Sequence, residues 1–548
     1  MNNERPSSFM DRNTILAVIL VMIAWVGWQK YLENKYPQAS KKAGAPAVPE
    51  TKGEGAAAGM GDAKNAVTNS PSENSVDPGS PAVELPKIPE QSFVYEDSRI
   101  KMTISNRGLG LEQIQLKNFK GVDSPYVVLA KSPRYPLFAT QAVGATEMLL
   151  FTVERKDDVT FVGKGLTQEG SEIIKTLRIR PDTYGLDIDV QVTPRAGLQG
   201  IEHLLVDHIE ENKESSFLMP SHHFQDLFAL HGTTSSRVMV DLKTPIDEKF
   251  EQVKLAAAGT SYFVASLIDD SLILPMLSGT IDQQEKVVVG RLVHKNIADG
   301  PFTIKMTGFA GPKELKVMEA VNPLLRETVD FGWFSAIGFG LLGLLKALYS
   351  LFPNYGVAII LLTLIVRILV LPFNISSYRS MKKMQQINPI LKDIREKHKG
   401  DPQKLNTETM RIMKENKVNP LGGCLPMLIQ LPIFLSLYRV FGQSVELYHA
   451  PFALWIHDLS IKDPYYVLPI LMGITMFVQQ KLTPTTMDPA QAKVMAALPI
   501  IFSFFMLSLP SSLTLYIFVS TLFGVIQQYV FLRDSRVIAQ STVPQVNA

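Results

Sequence analysis

The chain has 548 residues, of which 46% are hydrophobic, and its formal net charge is +2. This length leaves room for several domains, and the near-neutral charge gives no indication of a nucleic-acid partner. The single cysteine, Cys424, excludes an internal disulfide framework and a metal site built from several cysteines.

The N-terminal region contains an apolar run over residues 14–28, preceded by Arg5 and Arg12. A cleaved signal peptide would end in small residues, whereas this run ends at Trp28. Because positively charged residues stay on the cytoplasmic side of a membrane, we predict an uncleaved anchor over residues 1–31 with a cytoplasmic N-terminus.

The next two segments differ sharply in composition. Residues 32–92 are rich in Ala, Gly, Pro and Ser, and this composition predicts a flexible periplasmic tether. Residues 93–325 contain short alternating runs, such as EIIKTLRIR at 172–180 and KVVVGRLVHK at 286–295. This pattern predicts a large antiparallel β-sandwich, and a helical segment follows it from Glu314.

Four possible metal ligands lie close together in the predicted β-sandwich, namely His222, His223, Asp226 and His231. A metal site and ordinary loop histidines both fit this spacing, and we favour loop histidines. The chain has neither a glycine-rich nucleotide-binding loop nor a GxSxG motif. We therefore expect no enzymatic activity and no cofactor.

Residues 326–355 hold an apolar, glycine-rich run that includes Lys346. Only a short PNYG turn separates it from the next apolar run. If both runs crossed the membrane, the basic segment after the second run would lie on the outer side of the membrane, not in the cytoplasm. We therefore predict an amphipathic helix lying flat at the outer interface.

The apolar run at 357–373, VAIILLTLIVRILVLPF, can just span a bilayer as a helix. It contains Arg367, with no acidic residue within a helical turn on either side. An arginine in mid-membrane costs about 2.5–3.5 kcal/mol on insertion scales. Two interpretations stay open: Arg367 faces protein or a water-filled cavity as a functional residue, or it snorkels to the cytoplasmic interface.

A polar segment over 378–417 carries eleven Lys or Arg residues against five Asp or Glu residues, an excess typical of cytoplasmic loops. Apolar residues recur at helical spacing, and Asp401 followed by Pro402 predicts the start of a second helix. We predict a basic helical hairpin. Its candidate contact residues are Met381, Met384, Lys392, Arg395, Lys399 and Arg411.

Four more apolar runs follow, and with the anchor and the 357–373 run they predict six membrane crossings with both termini in the cytoplasm. Residues 356–533 would form a core of five spans, and residues 534–548 a cytoplasmic tail. The four later spans are predicted at 421–441, 465–478, 494–509 and 513–530.

The predicted spans contain no Asp or Glu, which counts against a proton- or sodium-coupled transporter. One deep arginine with scattered hydroxyls and an amide suits a wet, weakly positive groove. For Ser436, Thr475 and Ser520 we favour a role in helix packing. The candidate groove residues are Arg367, Thr363, Gln430, Tyr516 and Ser503.

Several stretches resemble the YidC-type membrane protein insertases. They are the Arg367 run, VNPLGGCLPMLIQLPIFLSLYRVF at 418–441, APFALWIHDLSIKDPYYVLPILMG at 450–473, KLTPTT at 481–486 and the SLPSSLTLYIFVS hairpin. The resemblance covers about 356–531. The anchor, tether and outer β-domain resemble the form found in bacteria with two membranes.

This resemblance implies an inner-membrane protein with a periplasmic β-supersandwich. It implies insertion and folding of nascent inner-membrane proteins, alone or with the Sec translocon, through a groove open to cytoplasm and lipid. In that groove Arg367 would be lined by Thr363, Gln430 and Tyr516, and the basic hairpin would receive substrate. The tail after Arg536 is uncharged, so the basic ribosome-binding tail of some relatives is absent.

Two alternatives belong to other functional classes. A solute or anion transporter would use Arg367 as its binding charge. A sensor would bind a sugar in the outer β-domain.

Overall fold

The computed structural model describes residues 88–121, 124–209, 225–240, 242, 245–295, 300–398, 400–416, 425–482 and 489–540. Several predicted features lie outside the described residues. They are the anchor at 14–28, almost all of the tether, His222, His223, Lys399, Cys424 and the end of the tail.

Eighteen strands are described between Ser92 and Pro312. They are β1 Ser92–Glu96, β2 Ile100–Ser105, β3 Gly110–Leu116, β4 Val127–Leu129, β5 Thr140–Ala142, β6 Thr152–Arg155, β7 Thr160–Leu166, β8 Glu172–Ile179, β9 Gly185–Thr193, β10 Gly200–His208, β11 Asp226–His231, β12 Thr234–Met239, β13 Lys249–Phe250, β14 Val253–Gly259, β15 Phe263–Asp269, β16 Met276–Asp282, β17 Val287–Lys295 and β18 Phe302–Pro312.

The strands form three antiparallel sheets. We call these sheets, together with the helical turns that follow them as far as Thr328, the β-domain. The largest sheet has the order β12-β11-β14-β15-β18-β9-β8-β7-β6, the second β13-β16-β17-β10-β5 and the third β1-β2-β3-β4. Alternate residues of β8 are buried, as a strand with one core-facing side requires. The predicted β-sandwich is therefore confirmed.

The helices follow the β-domain. They are α1 Leu315–Val321, α2 Ser335–Leu351, α3 Tyr355–Lys397, α4 Pro402–Glu415, α5 Leu425–Gln443, α6 Val467–Leu482, α7 Pro489–Met506 and α8 Ser511–Gln540, with 3-10 turns at Pro323–Thr328, Gly332–Phe334 and Val445–Leu447. By length and composition, Gly332–Leu351, Tyr355–Met384 and Ser511–Phe531 can each cross a membrane, and Val467–Leu482 and Ala497–Met506 are shorter apolar helices.

The long helix α3 joins two elements that the sequence separated. The predicted span at 357–373 and the first arm of the hairpin form one continuous helix of 43 residues. Pro372 and Pro389 both lie inside it without ending it. Packing against neighbouring helices offsets the backbone hydrogen bond that each proline removes, and local sequence does not report such packing.

Over the predicted basic hairpin, the end of α3 and α4 pack against each other. Asp401 caps α4 by accepting a hydrogen bond from the backbone N–H of Lys404 at 3.1 Å, and Pro402 occupies the first helical position. Ile387 and Leu391 on α3 are buried against apolar residues of both arms, namely Met384, Ile412 and Met413. The hairpin therefore has a small apolar core of its own.

The β-domain packs directly on the loop between α5 and α6. The ring of Tyr448 in this loop lies 5.1 Å from that of Tyr262 and 5.2 Å from that of Phe263, which begins β15. Val445 in the same loop belongs to the buried core of the β-domain. The β-domain therefore contacts the helical part of the chain directly.

A cluster of titratable residues is buried between the two larger sheets. Lys175 is fully buried and donates to two backbone carbonyls. The ring of His203 lies 5.3 Å from that of His294, which contacts Asp269 at 2.7 Å. Burial lowers the pKa of His203 well below its ordinary value of 6.5, and His294 and Lys175 lower it further.

We expect the free energy of opening of β10, which carries His203, to fall as the pH drops below 6.5. The folded pKa lies below the unfolded one, so at low pH the unfolded chain binds a proton that the folded chain does not. The fall should be about 1 kcal/mol between about pH 7.5 and about pH 5.5. Hydrogen exchange of the full-length protein, corrected for intrinsic rates, measures it.

The matched variant is His203→Gln, which should show a smaller pH dependence because it cannot titrate. An opening free energy of β10 that is the same at both pH values in the wild type would contradict this account.

Candidate functional site

Arg367 lies in the first third of α3 and faces α8. Its Nε donates a hydrogen bond to Ser520 Oγ at 2.8 Å, and its Nη2 donates to the same oxygen. Ser520 is only 4% exposed. Ser520, for which we favoured a role in helix packing, is thus the hydrogen-bond partner of Arg367.

Two further predicted groove residues, Tyr516 and Gln430, extend this row of polar groups beyond Ser520. Tyr516 lies one turn earlier on α8 and is 2% exposed. Its hydroxyl accepts a hydrogen bond from Gln430 Nε2 on α5 at 2.6 Å. These side chains form a row of polar groups across α3, α8 and α5. We call this row the polar chain, and its members are Arg367, Ser520, Tyr516 and Gln430.

The charge of Arg367 has no acidic counterpart in this arrangement. Among the described residues, Tyr516 and Tyr378 are the titratable groups that interact with it electrostatically, and no carboxylate does. A lone cation among apolar helices attracts an anionic group more strongly than it would in water. The polar chain is therefore suited to transient contact with acidic or polar groups.

The other two predicted groove residues occupy different places. Thr363 is fully buried one turn before Arg367, and its hydroxyl donates to the backbone oxygen of Ile359 at 2.6 Å. Ser503 on α7 packs against Gly473 of α6. No contact among the described residues joins Ser503 to Arg367, so Ser503 lies apart from the polar chain. Thr363 lies beside the polar chain on α3, with its hydroxyl bonded within that helix.

A second polar pair on α3 and α8 was not predicted from the sequence. Asn374 Nδ2 donates to Gln527 Oε1 at 3.5 Å, and both side chains are buried. Asn374 follows Arg367 by seven residues and Gln527 follows Ser520 by seven, so the two pairs repeat along parallel helices. This heptad spacing is visible in the sequence, but the pairing of α3 with α8 is not.

The predicted hairpin residues lie further along α3 and on α4. Ser377 Oγ lies 3.9 Å from the sulfur of Met381, next to the Asn374 layer. Lys392 and Arg395 are exposed to solvent. Arg411 on α4 is held by ion pairs of 2.8 and 2.7 Å with Glu408 and Glu415, respectively.

No metal centre is formed by the residues that the structure describes. Asp226, one of the four possible ligands, forms an ion pair with Arg237 at 2.5 Å. His231 Nε2 lies 2.9 Å from Ser236 Oγ.

A β-sandwich packed on apolar helices, with a half-buried cationic polar chain between those helices, defines a membrane protein with a large extramembrane domain. Two family models match this division of the chain. The model described as YidC periplasmic domain matches residues 94–342, and that described as 60Kd inner membrane protein matches residues 347–537. The chain belongs to the YidC family, whose curated members carry the name membrane protein insertase.

Relatives cover nearly the whole chain. The membrane protein insertase YidC of Citrifermentans bemidjiense is 36% identical over 77% of this chain and 82% of its own. That of Syntrophus aciditrophicus is 32% identical over 95% of this chain and 99% of its own. A solved structure of an active YidC insertase covers 82% of this chain and 94% of its own, with 19% identity and a TM-score of 0.37.

Proposed function

We propose that this protein inserts and folds nascent inner-membrane proteins, moving short polar segments across the bilayer along the polar chain. The observation that carries this proposal is the half-buried charge of Arg367, which has an uncharged partner and, among the described residues, no carboxylate. A permanent counter-charge would compete with a substrate, whereas a hydroxyl leaves the guanidinium free to bind and release it.

The mechanism requires no covalent chemistry and no cofactor. A polar segment that enters a bilayer loses its water, and each unsatisfied backbone group costs several kcal/mol. The guanidinium of Arg367, the hydroxyls of Ser520 and Tyr516 and the amide of Gln430 offer replacement hydrogen bonds along one path. The barrier to crossing falls because the segment is never left without partners.

We place six membrane crossings in the chain, with both termini in the cytoplasm and α2 at the periplasmic interface. Gly332–Leu351 is long enough to span a membrane. We therefore infer the interfacial position of α2 from its contacts. Lys346 on α2 lies 2.8 Å from Glu446 in the loop after α5 and 3.8 Å from Glu314 beside α1. Both partners belong to segments that contact the β-domain, so this face of α2 lies on the periplasmic side.

A cysteine in place of Ser350, in a protein carrying Cys424→Ser, should react with a membrane-impermeant thiol reagent added from the periplasmic side. Ser350 is exposed near the end of α2, and an interfacial helix keeps it outside. A cysteine in place of the exposed Thr407 on α4 is the matched control and should react only after the membrane is opened. Labelling of position 350 from the cytoplasm alone would overturn the six-span topology.

The partners follow from this placement. Nascent inner-membrane proteins are the substrates, the lipid bilayer surrounds the groove, and the Sec translocon shares some substrates. The basic hairpin over α3 and α4 faces the cytoplasm, where it receives substrate and can contact a ribosome.

Site-specific crosslinking tests the proposal. A photoreactive amino acid in place of Thr363 or Gln430 should crosslink to a ribosome-bound nascent membrane protein, since both positions lie on the proposed path. The same amino acid in place of Ile470, which is exposed on α6 away from the polar chain, is the matched control. Crosslinks from position 470 and none from 363 or 430 would contradict the groove.

The second candidate function is anion transport with Arg367 as the binding charge. The absence of an ion-paired carboxylate at Arg367 among the described residues also fits this function. Anion flux through the purified protein in sealed vesicles, abolished by Arg367→Ala, would favour it.

A further inference from the structure

A second polar layer lies on the cytoplasmic side of Arg367. Asn374 and Gln527 each follow a member of the Arg367–Ser520 pair by seven residues, which is about 10.5 Å along a helix. Asn374 is 4% exposed and Gln527 is 7% exposed. Two amide side chains are thus held inside the helix bundle.

The pair is incompletely satisfied. The hydrogen bond from Asn374 Nδ2 to Gln527 Oε1 spans 3.5 Å, which is long for an N–H···O bond. Gln527 Nε2 is buried and has no hydrogen-bond partner among the residues that the structure describes. A buried donor without a partner lowers the free energy of unfolding. Leucine would fill the same space without this cost, so a packing role alone explains Gln527 poorly.

Polar and aromatic side chains lie around this layer. Ser377 is buried one turn below Asn374 on α3. Gly524 shares a face of α8 with Gln527, and a side chain there would lie 2.8 Å from Gln479 Nε2 on α6. Below the layer, the rings of Tyr378 and Phe531 lie 5.6 Å apart.

We propose that Asn374 and Gln527 bind the peptide backbone of an incoming polar segment before that segment reaches Arg367. This inference rests on the proposed insertase function. An amide side chain both donates and accepts hydrogen bonds, as a peptide group does, so it can replace backbone hydration. The free N–H groups of Gln527 are the donors for a substrate carbonyl.

The two layers then divide recognition between them. Peptide groups are the same in every substrate, so binding at Asn374 and Gln527 is independent of substrate charge. The guanidinium of Arg367 favours carboxylates, so it acts on acidic segments. An incoming segment meets the charge-independent layer first because that layer lies nearer the cytoplasm.

Crosslinking resolves the order of contact. A photoreactive amino acid in place of Gln527 should crosslink to a ribosome-bound nascent membrane protein at a shorter chain length than the same amino acid in place of Thr363. Crosslinks from position 363 without any from position 527 would overturn this inference and leave the proposed function standing. Crosslinks from neither position would overturn both.

The apolar variants Asn374→Leu and Gln527→Leu measure the contribution of the layer. Each should lower insertion about two- to tenfold, as expected for one net hydrogen bond. The loss should be equal for an acidic substrate and its neutralised counterpart. The matched control is Thr475→Val on α6, whose hydroxyl bonds only within its own helix to Leu471 and whose loss should leave insertion unchanged.

The melting temperature of each purified variant separates binding from packing. Lower insertion with an unchanged melting temperature supports the inference. Unchanged insertion, or a loss of insertion that parallels a loss of stability, would show that Asn374 and Gln527 only join α3 to α8.

Discussion

Replacing Arg367 with alanine should reduce insertion of a substrate with an acidic translocated segment roughly tenfold or more, because a hydrogen bond to a charged group contributes about 1.5–3 kcal/mol. The neutralised form of the same substrate should be inserted almost as well as by the wild type. The measurement is the protease-protected fraction of the matched pair in proteoliposomes that contain wild-type or variant protein.

Two variants sharpen this test. Arg367→Lys keeps the charge and should retain most of the activity if attraction is electrostatic, but it should fail if the two-nitrogen contact with Ser520 sets the geometry. Arg439→Ala is the control. It removes an arginine near the C-terminal end of α5 and should affect the insertion of neither substrate. An equal loss for both substrates in Arg367→Ala would remove the electrostatic account and leave Arg367 with a structural role.

Deleting residues 393–414 should reduce insertion to the background level while the membrane helices stay folded. The deletion removes the last turn of α3 and nearly all of α4. The core that holds the two arms together is small, so the hairpin opens at little cost and its loss leaves the bundle intact. Insertion into proteoliposomes and the melting temperature of the remaining protein are the two readouts.

Smaller changes in the hairpin separate its roles. Leu391→Ala, which removes a buried contact between the arms, should lower insertion less than the deletion does. Glu408→Gln breaks one exposed ion pair with Arg411 and should have little effect, since such pairs contribute about 0–1 kcal/mol. Insertion that survives the deletion would mean that this segment serves only to orient the protein in the membrane.

The sequence alone determined the features that depend on neighbouring residues. Alternation along the chain predicted the strands of the β-domain, and Asp401 with Pro402 predicted the start of α4. The charge of Arg367 within an apolar run made its helix the candidate for function, and that role stays a prediction. The strand and cap predictions succeeded because helix caps and strand faces are set within a few residues.

Tertiary structure alone decided which distant groups meet. Ser520 became the partner of Arg367, and Asn374 that of Gln527, across 153 residues of sequence in each case. Tyr448 packs against Tyr262 and Phe263 and so joins the β-domain to the loop between α5 and α6. Local periodicity shows which residues share the face of a helix but not which helix packs against that face, and this choice depends on the packing of the whole bundle.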